Sequence, residues 1–297
     1  MHINQSPLTN IGAIKMPLIV ECPRDAMQGW PTLIPTIDKI RYLNALLTCG
    51  FHTLDFGSFV SPKAIPQMAD TLAVVDELDV ANSPTKLLAI VANERGADEA
   101  ILHEKITYLG FPFSISPTFQ QRNTNASIEQ ALDRVAAIQN SCVKANKQLV
   151  VYLSMGFGNP YGDVYDVDML IERMKQIESL GINIISIADT VGLATASQVN
   201  TVMKNVLREA AQVQIGVHLH ATHTDVVPKL EAAYSAGCHR YDAAIKGIGG
   251  CPLAGNTLVG NTDTELMLQY FETKGLHLAI NEQALQNCVA IANEIFV

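Results

Sequence analysis

A chain of 297 residues with 48% apolar and only 16% charged side chains can bury a large core, which excludes a disordered chain. Its net charge of −9 argues against nucleic acid or an anionic membrane surface as partner, and its longest apolar runs are too short to span a bilayer. The six cysteines (Cys22, Cys49, Cys142, Cys238, Cys251, Cys288) contain no C-x-x-C, which suits a reducing compartment and implies neither a disulfide framework nor a zinc site.

Taken in chain order, Met1 to Asn10 is polar with no apolar core, so no signal or transit peptide is expected and a cytoplasmic location follows. Short β-branched runs then alternate with amphipathic stretches. Residues 17–22 read as a strand and 36–48 as a helix ended by Gly50. Residues 52–56 form a strand and 64–78 a helix, followed by a strand at 86–92 and a short helix at 97–104. Residues 109–115 read as a strand, weakened by Pro112. Ser127 and Gln130 resemble a capping box that opens a helix to Asn146. Strands at 148–155, 183–188, 213–220 and 240–245 alternate with helices at 166–180, 196–211, 226–236 and 264–273. A last helix covers 282–295. Eight strand–helix units imply a parallel sheet, and their number and length match one closed (β/α)₈ TIM barrel with an additional C-terminal helix. No linker, repeat or G-x-G-x-x-G favours an open sheet, so residues 1–297 are expected to form a single domain.

Catalytic residues of such barrels sit at the carboxyl ends of the strands. Unusual polar residues gather there: Arg24, Asp25 and Gln28, then Asp55, Asn93, Ser114 and Ser116, Ser154, Asp189, His218 and His220, Lys246, and Asn261. Any one of these could be a cap or turn residue, but together they point to a shared cleft. His218 and His220 alternate along one strand and so face the same side. With Asp25 they offer two imidazoles and a carboxylate, a set that suits Mg, Mn, Fe or Zn. Cys251 follows Gly247, Gly249 and Gly250 and precedes Pro252, in a loop that could carry a thiol to a substrate. The other cysteines weighed beside it, Cys22, Cys49, Cys142 and Cys288, lie in apolar or helical surroundings.

The run Val20-Glu21-Cys22-Pro23-Arg24-Asp25-Ala26-Met27-Gln28 resembles the first-strand signature of the 3-hydroxy-3-methylglutaryl-CoA lyases, metal-dependent barrels related to the isopropylmalate and homocitrate synthases. Ser58 to Lys63, Pro66 to Asp70, Asn159 to Gly162, Asp189 to Gly192, His218-Leu219-His220 and Gly247 to Pro252 are similar again, so the likeness runs from about residue 18 to 295. Four positions differ from the family pattern. Asp55 stands in place of Glu, Ala221 in place of Asp and Ala26 in place of Gly, and one extra residue separates Cys251 from Asn261.

The resemblance implies a divalent metal, usually Mg or Mn, held by Asp25, His218, His220 and Asn261. It implies that Arg24 polarises a thioester oxygen, that Cys251 exchanges a proton with the cleaved fragment, and that the protein is a homo-oligomer such as a dimer. Retro-aldol cleavage of a 3-hydroxyacyl-CoA is the expected reaction. Cys251, Arg24, Asp189 and Asp55 are then the catalytic candidates, with Asp189 or His218 as proton acceptor. Arg24, Gln28, Ser154 and Lys246 are the substrate-binding candidates, and Lys63, Lys246 and Arg122 the candidate contacts for a polyanionic CoA. The alternatives are a condensing acyl-CoA enzyme of the isopropylmalate or citramalate synthase type, and a non-catalytic metal-binding barrel. The short segment after the barrel speaks against the first, and the joint presence of Arg24, His218, His220 and Cys251 against the second.

Overall fold

The computed structural model describes residues 15–210, 212–250 and 259–297. Its eight strands are β1 (Leu18–Glu21), β2 (Thr53–Ser58), β3 (Lys86–Ile90), β4 (Ile106–Ser114), β5 (Gln148–Ser154), β6 (Ile184–Asp189), β7 (Gln214–Leu219) and β8 (Arg240–Ala243). Each pairs in parallel with the next, and β8 returns to β1, closing the barrel. The helices are α1 (Pro23–Gln28), α2 (Thr36–Leu47), α3 (Thr71–Asp76), α4 (Glu94–Ala100), α5 (Pro117–Thr124) and α6 (Ile128–Lys144). They continue as α7 (Val167–Ser179), α8 (Ala196–Glu209), α9 (Val226–Ser235), α10 (Thr264–Thr273) and α11 (Glu282–Ile295). The main core lies between the strands and the surrounding helices. A smaller cluster, Leu88, Ile90, Tyr108, Val150, Tyr152 and Ile184, is separate from it and comes from β3 to β6. No helix among the described residues is long and apolar enough to cross a membrane.

Local chemistry explains most boundaries. Ser127 and Gln130 form the expected capping box at α6, and Thr195 with Gln198 forms a second one at α8. Asn93 and Ser116, two of the strand-end polar residues, are spent as N-caps of α4 and α5. The helix expected over 64–78 is broken: Pro66 opens a 3₁₀ turn at Pro66–Met68, and α3 starts only at Thr71. Proline disfavours helical backbone at the residue before it, so Ile65 cannot join the turn to a longer helix. Pro112 sits inside β4 without loss, because β3 stops pairing at Ile90 opposite Gly110 and leaves the proline no partner on that side. Two short helices were not legible as periodic patterns. Both α1 and α5 begin with proline, whose fixed φ suits the first helical turn.

Glu21 ties β1 to the far end of the chain. Its Oε1 accepts from the Ile245 N–H at 2.8 Å and its Oε2 from the Thr264 hydroxyl at 2.6 Å. Burial pushes this carboxyl up to about 8, and the two hydrogen bonds offset only part of that rise. An acid raised on folding stabilises the protein below its ordinary value of 4.5, and the contribution is lost as pH climbs to about 8. Glu21→Gln should therefore remove a stability loss of up to about 1.4 kcal/mol per pH unit over that window. Denaturant midpoints that fall in parallel for both proteins between those pH values would refute it.

Candidate active site

The site is assembled at the carboxyl ends of β1, β2, β7 and β8. Pro23 starts α1 directly after β1, and its single turn and a half carries Arg24, Asp25 and Gln28 into one cluster. Arg24 is 8% exposed, and each of its three guanidinium nitrogens meets an acid, which leaves one N–H on each Nη uncommitted to them. Nη2 and Nε bond Asp55 Oδ2 at 2.6 and 3.1 Å, and Nη1 bonds Asp25 Oδ1 at 2.9 Å. Burial opposes the charge on Arg24, but Asp55 and then Asp25 more than offset it, so the guanidinium stays charged. Burial raises Asp55 to about 6, with Arg24 pulling the other way. Burial also works against Asp25, yet Arg24, His218, His220 and the Asn261 amide hold it down at about 2.

His218 and His220 come side by side from the end of β7, as their spacing predicts. Their Nε2 atoms are 3.2 Å apart. The other ring nitrogen of each is occupied: His218 Nδ1 meets Asp242 Oδ2 of β8 at 3.2 Å, and His220 Nδ1 meets the Val259 carbonyl at 3.1 Å. A ligating histidine usually has its second nitrogen held in this way, which fixes the tautomer and ring direction. Ligand atoms of Asp25, His218 and His220 all lie within 4.8 Å of one another. Two nitrogens bound at about 2.1 Å and at right angles would be about 3 Å apart, which is the spacing seen here. The donor set therefore fits a divalent cation with open positions. Cys22, His218 and Asp242 form a second close group. In it the Cys22 thiol is kept protonated by burial and by Asp242, and Asp242 is already bonded to His218, so the first group fits a metal better.

Asn261 is brought in by the returning chain. It bridges His220 in antiparallel fashion, with Ala221 N–H bonded to Gly260 O and Thr262 N–H to Leu219 O. Its Nδ2 donates to Asp25 Oδ2 at 2.8 Å and to Ile248 O at 2.9 Å. A half-turn of that amide would present its oxygen instead. Gln28 joins as well, donating to Asp25 Oδ1 at 2.6 Å. Arg24, Asp25, Gln28, Asp55, His218, His220 and Asn261 thus form one connected cluster.

Other expected residues lie apart from it. Ser154 is buried at the end of β5, and no bond links it to the cluster. Asp189 falls on the Ile185 and Ile187 side of β6, where Lys229 of α9 bonds its Oδ2 at 3.1 Å and Ala194 N–H bonds both oxygens. Burial raises its pKa, and Lys229 opposes that rise. Lys246 is exposed, with its Nζ on Asn293 of α11 and its N–H on Glu265. Cys251 lies outside the described residues.

Two residues that sequence reasoning missed complete the surroundings. Asp242 backs His218, and the signal was an acid two positions along an otherwise inward row of β8. Lys229 is 1% exposed and donates to the His220 carbonyl at 2.7 Å as well as to Asp189. It stands among Val226, Leu230 and Ala233 at core-facing helical spacing, where a lysine is out of place unless paired.

Comparison with known proteins places the chain in a family. The HMGL-like family model matches residues 17–292. The chain is 32% identical over 253 residues to a hydroxymethylglutaryl-CoA lyase of Bacillus subtilis, covering 84% of this chain and 83% of that one. It is 30% identical over 268 residues to the mitochondrial hydroxymethylglutaryl-CoA lyase of Mus musculus, covering 89% and 80%. The structure of an HMG-CoA lyase from Acinetobacter baumannii in complex with coenzyme A and 3-methylmalate superposes with a TM-score of 0.89. Its identity is 29%, over 96% of this chain and 92% of that one.

Proposed function

Since the chain belongs to the HMGL-like family, we propose that it is a metal-dependent carbon–carbon lyase that cleaves 3-hydroxy-3-methylglutaryl-CoA, or a close 3-hydroxyacyl-CoA, to acetyl-CoA and acetoacetate. The observation that carries this reading is Arg24 locked beside the Asp25, His218 and His220 donors at the open end of the barrel. Asp25, His218 and His220 would hold the metal, with Asn261 as a fourth ligand, and the family resemblance makes Mg or Mn the proposed ion for this mixed nitrogen and oxygen set. When bound, the ion supplies positive charge beside the substrate's 3-hydroxyl, which eases loss of its proton.

The chain's own groups do the rest. As the C2–C3 bond breaks, its electron pair moves onto the thioester and develops negative charge on that oxygen. Arg24 is aimed at this charge, and Asp55 and Asp25 fix its plane so that no reorganisation is needed when the charge appears. Gln28 keeps Asp25 in place. The enolate carbon then takes a proton, which we assign to the Cys251 thiol on the grounds of the glycines that precede it in sequence and the family resemblance. Acyl-CoA is the substrate class also because the Acinetobacter relative was solved with coenzyme A. A homodimer and a cytoplasmic location complete the reading.

The deciding experiment supplies 3-hydroxy-3-methylglutaryl-CoA to protein stripped by chelator and then given Mg or Mn, with acetyl-CoA and acetoacetate both quantified. Equal amounts of the two products, formed only with metal, are expected. Absence of cleavage with every 3-hydroxy-3-alkylglutaryl-CoA tried, in protein that binds the metal, would overturn the assignment.

A further inference from the structure

The barrel interior also holds a charge that this site does not use. Arg240, the first residue of β8, is 0% exposed, and its Nε, Nη1 and Nη2 have no hydrogen-bond partner. Its stem runs over Gly216 of β7, where an added Cβ would meet Arg240 Cγ and Cδ at 3.0 Å. That glycine keeps the row clear for the arginine. Gly216 is paired with Ser186 of β6, and Ser186 with Tyr152 of β5. Ser186 Oγ and the Tyr152 hydroxyl are buried and also without partner. One register row of the interior therefore carries a guanidinium and two hydroxyls, all buried and without partner. The next row toward the active site pairs His218 with Asp242, whose Oδ2 is already committed to the histidine.

A guanidinium has five donors, no acceptor and no accessible neutral form, so enclosing it is costly unless a counter-charge reaches it. The amino-terminal mouth of the barrel adds to the positive field. Lys86 opens β3 with its Nζ 5.8 Å from the Tyr108 ring centre. Burial, then Arg240 and Lys86, depress His52 to about 4, and burial, Lys15 and Arg240 depress His239. Asp242 and Asp55, on the active-site side, act on Tyr152 in the opposite sense to Arg240, so the positive groups are those of the amino-terminal mouth, and these favour an anion over a neutral molecule there.

We propose that this row binds one small inorganic anion of the chloride type, held by Arg240 together with the Ser186 and Tyr152 hydroxyls. The rival occupant is water bridging Arg240 to the partnerless Oδ1 of Asp242.

Crystals of the wild-type protein soaked in sodium bromide and measured at the bromine edge should show an anomalous peak within about 3.5 Å of the Arg240 guanidinium. In solution, the melting temperature at constant ionic strength should rise as chloride replaces gluconate, as expected for a ligand of the folded state alone. Arg240→Met should lose that rise. Density for water with no anomalous peak would overturn the proposal. So would a peak with no chloride effect on melting, which marks an ion bound at crystal concentration only, or a chloride effect of equal size in Arg240→Met. The crystallographic measurement needs no variant, so it decides the question even if Arg240→Met fails to fold.

Discussion

Arg24→Met should lower kcat for thioester cleavage by at least about 10²–10³-fold, the loss recorded when one donor aimed at a developing oxyanion is removed. Methionine replaces the aliphatic stem of arginine but not its guanidinium, so the apolar packing around α1 changes little. What disappears is a fixed positive charge with three nitrogens bonded to Asp55 and Asp25. Arg24→Lys should recover little, because one ammonium cannot bridge both carboxylates in the plane the guanidinium occupies. Metal should still bind, since Asp25, His218 and His220 are untouched, and total metal per chain is the control. The variant also leaves Asp55 buried and unpaired. Asp55 is raised to about 6 even with Arg24 present, and without it the proton is retained to higher pH. A carboxyl raised on folding loses its stabilising contribution as pH rises, so Arg24→Met should lose ground to wild type above about pH 6 and approach it in acid. A kcat loss of only a few-fold would place the oxyanion stabiliser elsewhere.

The barrel and the ends of its longer elements were legible in the sequence because each strand is a β-branched run and each long helix has an apolar face. The metal triad was legible for a related reason: alternation along a strand puts His218 and His220 on one side whatever the details of packing. Residues whose role depends on a partner far along the chain were not. Asp189 lies at a strand end like a catalytic acid, yet the face of β6 it occupies turns it to Lys229. Lys246 follows β8 but has a backbone φ of 61°, and its side chain runs to α11. The partners of Asp55 and Glu21 lie 31 and 224 residues or more away in sequence. No local pattern encodes such pairings, and only closure of the barrel reveals them.

His220→Ala should abolish tight metal binding while the barrel stays folded. Among the described residues the ring's hydrogen-bond contacts are His218 and the Val259 carbonyl, and the backbone bridge between His220 and Asn261 does not need it. Loss of an outer partner costs about 10–100-fold in metal affinity, and loss of a ligand should cost more. The two histidines are pushed in opposite directions. Burial and the neighbouring His218 depress His220 to about 4. Burial works the same way on His218, but the hydrogen bond and charge of Asp242 outweigh it and raise that ring. The Asp242 contact thus favours the protonated form of His218, and a metal must displace whatever proton the pair holds, so binding should release protons, seen as a buffer-dependent heat in calorimetry. The sign for His220 follows from its depressed pKa: its contribution to stability is present above the ordinary value of 6.5 and is lost as pH falls toward about 4. His220→Ala apoprotein should accordingly lose less stability than wild type across that interval. Undiminished metal in the variant by elemental analysis, or binding without proton release in wild type, would remove His220 from the ligand set.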